Sequence, residues 1–165
     1  EVIYQATAYL GISRVHDFLE TANAVFKQHG ISLPLASQST TDAASRFDRG
    51  LEKQVSLFGP DMAKRQTDGP VLRQNINRWL ADNCFGDYYT RTGLNDAERE
   101  MITFCFLLAQ GGSEDQLRGH TAGNFGVGNG KEKLYSVVEQ CMPYVGYPRS
   151  LNAMGVIDEV AKAFE

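Results

Sequence analysis

Four side chains between Asn95 and Asn152, namely Glu100, Ser113, Gln116 and His120, have the types and spacing for chemistry. A histidine has an ordinary pKa of about 6.5 and exchanges protons at neutral pH. A carboxylate stands opposite it on the preceding helix. Glu100 has Phe104 four positions on and Leu107 seven positions on, so its carboxylate emerges on the apolar face of its helix. Burial there disfavours its charge and a histidine partner favours it, the two influences that tune an acid or base. His120 lies one turn after Leu117 in the first half of its own helix. Together they describe a small all-helical site for acid/base chemistry, without metal or cofactor.

The elements that hold these residues are marked by caps. Asn95 with Glu98, Ser113 with Gln116, and Asn129 with Glu132 each match a capping box, so each should open a helix. The first helix runs through Met101, Ile102, Phe104, Phe106, Leu107 and Leu108, apolar nearly all round and therefore buried. The second bears His120. The third runs through Leu134, Val137, Val138 and Cys141 and should kink at Pro143. Upstream, Asp42 to Phe58 repeats apolar residues at helical spacing until Gly59-Pro60 stops it, and Val71 to Leu80 forms a short helix carrying Ile76 and Trp79. No alternating strand run stands out, and the fold class is all-α.

The two ends of the chain resemble each other. At a constant offset Val2, Gln5, Tyr9, Gly11, Arg14 and Val25 fall on Val137, Gln140, Tyr144, Gly146, Arg149 and Val160. This implies an internal repeat, a helix closed by glycine and followed by a second helix. The expected organisation is the end of a first module over 1–33, a linker over 34–41 and a complete module over 42–165. On this expectation the chain is a fragment whose first module lacks its upstream part.

Composition removes other classes. Sixteen Lys and Arg against twenty Asp and Glu, with no basic cluster, argue against a nucleic-acid groove. No apolar run approaches a membrane span and no signal segment opens the chain, which makes a cytoplasmic protein the expectation. Cys84, Cys105 and Cys141 are odd in number, widely spaced and set in apolar patterns, so buried thiols are expected rather than a disulfide framework or a zinc site. No His, Cys, Asp or Glu stands at a familiar ligand spacing around His120. His16 and His29 suggest no site. Gly123, Gly126, Gly128 and Gly130 lack the strand and the lysine-serine pair of a phosphate loop and read as a helix-ending turn.

The segment GLNDAEREMITFCFLLAQGGSEDQLRGHTAGNFGVGNGKEKLYSVVEQCMPYVGYPRSLNA resembles the carboxymuconolactone decarboxylase family, which includes the alkylhydroperoxidase D (AhpD) type proteins. RFDRGLEKQVSLFG and FGDYYTRTGL look like its lead-in helices. The likeness extends from about Ser45 to Phe164, and Glu1 to Gly30 looks like the end of a preceding family domain. The peroxidase branch has two cysteines before its histidine. Here Gln116 takes the second place and Ser113 lies near the first, one residue further from Glu100 than the usual pattern. Thiol-disulfide exchange lacks both its thiols in this half.

The decarboxylase branch keeps the glutamate and histidine alone. There a carboxylated lactone loses carbon dioxide and the dienolate is protonated without a cofactor. The resemblance implies that His120 donates or relays the proton, that Glu100 orients it, and that Arg91 or Arg149, with Gln116, holds the substrate. It also implies a homo-oligomer, with the missing upstream segment as a further partner and a small molecule as the ligand. A peroxidase whose CxxC lies in that upstream module, and a non-catalytic scaffold half, are the competing expectations.

Overall fold

The computed structural model describes residues 1–164 and is all-α, with no strand among the described residues. Among these residues no helix is long and apolar enough to cross a membrane. The chain forms two compact units, one comprising 1–55 with 60–93 and the other 56–59 with residues from Leu94 onward.

In the first unit, helix α1 (Val2–Leu10) meets α2 (Ile12–Gln28) at Gly11, whose φ of 80° is open to glycine and strained for other residues. Gln5 and Ala6 are buried on α1, and Tyr9 donates its hydroxyl to that of Tyr89 at 3.2 Å. The turn-rich stretch 34–41 runs within this unit without regular structure. The helix expected from Asp42 begins four residues later, as α3 (Arg46–Phe58). Asp42 instead accepts from the amides of Ala44 and Ser45 at 3.1 and 2.9 Å, a local turn that competes with helical pairing. A short α4 (Asp61–Lys64) follows.

The helix expected over Val71 to Leu80 is only the beginning of a longer run. A 3-10 turn (Val71–Arg73) leads into α5 (Gln74–Trp79), which continues as a π-helical stretch (Leu80–Tyr89). That stretch supplies much of this unit's core through Ala81, Cys84, Phe85 and Tyr89, whereas Ile76 and Trp79 stay more than half exposed.

The second unit is built from the last residues of α3 (56–58) together with α6 (Asp96–Gln110), α7 (Glu114–Gly126), α8 (Lys131–Val145) and α9 (Tyr147–Ala161). Its core includes Phe104, Leu108, Leu117, Leu134, Val138 and Ile157. On α6 burial is confined to one face, because Met101, Ile102, Cys105 and Phe106 keep partial exposure and Ala109 is exposed. Helix α8 runs through Pro143 as one assigned helix. Gly146 joins α8 to α9 at φ 81° and ψ 164°, close to the 80° and 151° of Gly11 between α1 and α2.

Only one of the three expected capping boxes forms. Asn95 accepts from the Glu98 amide at 2.9 Å, and Glu98 accepts from the Asn95 amide at 2.8 Å. Ser113 is the N-cap of α7 but makes no side-chain cap, since its backbone (φ −139°, ψ 44°) is not extended and its Oγ is buried without a hydrogen-bond partner. For α8 the N-cap is Gly130, and Asn129 turns inward, 1% exposed. Cys84 is buried as expected, whereas Cys105 and Cys141 are half-buried.

Candidate active site

The capping box fixes the start of α6 and therefore its rotation. Glu98 is spent on the cap and faces solvent, and two residues later Glu100 points inward with no exposure. Helix α7 packs alongside and presents His120, whose side chain is 13% exposed, to that carboxylate. Nδ1 of His120 lies 2.9 Å from Oε2 of Glu100. An ionised carboxylate only accepts, so in the neutral ring the proton of this contact sits on Nδ1. Nε2 is then the ring nitrogen able to take a proton when the ring is neutral and to give one when it is charged.

Three further features hold the dyad. The Phe58 ring meets the imidazole edge to face, centroids 5.2 Å apart and planes at 84°, limiting its rotation. Gly123, one turn after Gly119 on α7, lies so close to Glu100 that a Cβ there would stand 2.5 Å from Oε2 and 2.9 Å from Cε1 of Phe58. Asn124 is fully buried and donates through Nδ2 to the carbonyls of Glu100 at 2.9 Å and His120 at 2.7 Å. One amide thereby ties together the backbones of both dyad residues.

Asn124 is itself held. Its Oδ1 accepts from Nδ2 of Asn129 at 2.8 Å, and the same Nδ2 donates to the Ala97 carbonyl at 2.7 Å. Lys133 donates to Oδ1 of Asn129 at 2.7 Å. Buried amides must be bonded, and this chain satisfies them while fixing the spacing of α6 and α7. Sequence reasoning missed Gly123, Asn124 and Phe58. The signal for Asn124 was its place one turn beyond His120 on the same face.

The other sequence-derived candidates have definite places. Gln116 is exposed on the first turn of α7, four residues before His120. Arg149 is exposed near the start of α9, lies against Gly111, and gives Nη1 to the carbonyl of Ala109 at the end of α6. It lines a small cavity with Leu107, Ser113 and Leu117. Arg91 belongs to the first unit, where both oxygens of Glu1 accept from it at 2.9 to 3.2 Å and its guanidinium lies 5.0 Å from the Tyr4 ring centroid. The Glu1 contact keeps Arg91 above the ordinary arginine range.

A larger cavity in the second unit, about 420 Å³, is lined by Phe125, Lys131 and Phe164 among others. Neither cavity includes the dyad. Among the described residues the grouping with metal-ligand geometry is His16, Asp17 and Glu20, exposed on α2, a pattern surface helices show without an ion.

The sequence profile of the carboxymuconolactone decarboxylase family matches residues 74–159, which contain Glu100, His120, Gly123 and Asn124. The chain is also 30% identical over 118 residues to the 4-carboxymuconolactone decarboxylase of Acinetobacter baylyi (strain ATCC 33305 / BD413 / ADP1), an overlap covering 71% of this chain and 87% of that protein. With its all-α fold, this chain belongs to the carboxymuconolactone decarboxylase family.

Proposed function

We propose that the protein is a cofactor-free carboxy-lyase acting by acid/base chemistry on a small carboxylated lactone or β-keto acid. The observation that carries this is the 2.9 Å contact between His120 and a wholly buried Glu100. A buried carboxylate on Nδ1 fixes the tautomer and leaves Nε2 as the nitrogen from which the charged ring gives its proton to carbon. When the bond to the substrate carboxylate breaks, its electron pair passes into the adjoining unsaturated system and carbon dioxide departs. The dienolate or enolate left behind takes the proton at carbon from His120, which solvent recharges.

The leaving carboxylate needs a cationic partner before it reacts. Arg149 retains N–H donors beyond the one given to Ala109, and Gln116 is one turn from the imidazole, so these two hold the substrate carboxylate. Arg91 is the alternative guanidinium. The working form is a cytoplasmic homo-oligomer, a reading supported by the exposure of Tyr144, Tyr147 and Leu151 around the α8–α9 elbow at 91%, 68% and 63%. The matching glycine elbows and the shared residues at both ends support α1–α2 and α8–α9 as two copies of one repeated unit.

Carbon dioxide release from 4-carboxymuconolactone, as tested with the protein and with His120→Ala, checks the assignment. The expected result is turnover lost by at least about a hundredfold in the variant while its circular dichroism and melting stay near wild type. Full turnover in a folded His120→Ala protein would remove the dyad from the mechanism.

A further inference from the structure

Helices α6 and α8 bring together two thiols that the acid/base reading does not use. Sγ of Cys141 lies 4.0 Å from Sγ of Cys105, and both residues keep partial exposure, whereas Cys84 is buried in the first unit. They are far apart in sequence, so the approach is made by helix packing rather than by a local motif. We propose that Cys105 and Cys141 are a modification site, a dithiol that closes reversibly to a disulfide when the protein meets a peroxide or a low-molecular-weight disulfide. A sulfur-sulfur bond is about 2.05 Å long, so closure requires the two sulfurs to approach by about 2 Å, within the reach of side-chain rotation.

Burial, and then the neighbouring Cys141, push the Cys105 thiol up to about 12. Cys105 therefore stays protonated at neutral pH and the first attack falls to Cys141. With hydrogen peroxide, the Cys141 thiolate attacks one oxygen, the O–O bond breaks and hydroxide leaves, giving a sulfenic acid. Cys105 then loses its proton and attacks that sulfur. The S–O bond breaks, and the hydroxyl leaves as water. Two thiols lose two electrons, and one peroxide becomes two waters. The product is a covalent tie between α8 and the helix that carries Glu100.

The test uses the whole reduced chain, treated with a modest excess of hydrogen peroxide and then with an alkylating agent, and read by intact mass and peptide mapping. The expected product has lost two hydrogens, leaves one of three thiols alkylatable, joins the Cys105 and Cys141 peptides and reverts in dithiothreitol. Its formation should quicken as the pH is raised from 7 to 9, because the thiolate is the nucleophile. Cys141→Ser and Cys105→Ala should each abolish the closure, and Cys84→Ser should leave it intact. A disulfide between chains, a sulfinic acid on either residue in place of the bond, or three alkylatable thiols after prolonged treatment would overturn the proposal. None of these readouts depends on lyase activity, so either reading can fail alone.

Discussion

Replacing Gly123 with alanine places a methyl carbon 2.5 Å from Oε2 of Glu100 and 2.9 Å from Cε1 of Phe58. Ordinary van der Waals contact begins at 3.4 Å, so the carboxylate oxygen must retreat by as much as about 0.9 Å. That retreat stretches the 2.9 Å contact with His120 to beyond hydrogen-bond length. Overpacking costs about 1–3 kcal/mol and the weakened charged hydrogen bond a similar amount. Alanine's helix propensity returns about 1 kcal/mol.

The net expectation for Gly123→Ala is a destabilisation of about 1–5 kcal/mol, with turnover reduced at least tenfold because the imidazole loses its orientation. Gly119→Ala is the control. It lies one turn earlier on the same helix, with nothing within 4 Å of its Cβ, so it should gain up to about 1 kcal/mol and keep full activity. Urea unfolding and carbon dioxide release on the two variants decide the matter. If Gly123→Ala unfolds at the same urea concentration as Gly119→Ala and turns over at the wild-type rate, the packing argument for the dyad is refuted.

Asn124→Leu removes a buried amide on which the carbonyls of Glu100 and His120 and the Asn129 side chain depend, and should cost about 2–4 kcal/mol in urea unfolding. Arg149→Ala should raise KM at least tenfold with a smaller change in kcat, whereas Arg91→Ala should cost about 1 kcal/mol of stability and leave KM near wild type; the reverse outcome would exchange their roles. Cys105 has its folded pKa raised above its ordinary value of 9.0 to about 12, so the stability it contributes is fully present below pH 9 and is lost as pH rises towards 12. Urea titrations across that window should show wild type losing stability relative to Cys105→Ala, and parallel curves would remove the burial argument for this thiol.

What the sequence revealed about the site was local in origin. The place of Glu100 followed from apolar residues one and two turns beyond it, and the Asn95 cap from a spacing that two adjacent groups satisfy by themselves. Asn129 and Ser113 carry the same spacing and do not cap. Gly130 takes the N-cap of α8, and the Asn129 amide is drawn inward by Asn124 and by the Ala97 carbonyl. Such competition between a local bond and a distant one cannot be read from spacing.

The same holds for Arg91, whose partner Glu1 stands at the other end of the first unit's sequence, and for the close approach of Gly123 to Glu100, which depends on the separation of α6 and α7. The π-helical stretch was legible only through the family likeness of FGDYYTRTGL, because a run through Gly86 with two polar residues before Cys84 lacks the apolar period of a regular helix. The three thiols read alike in sequence. Packing buries Cys84 and sets the other two face to face.

Glu100 has no surface through which to trade protons with water, while the imidazole beside it keeps a small opening. The ring is therefore a valve between the carboxylate and solvent, and on the proposed mechanism the hydrogen delivered to the product is one that has entered through His120. In heavy water each turnover should leave a single deuterium on carbon, installed on one face of the product, because Phe58 and Glu100 hold the ring in one orientation as it delivers.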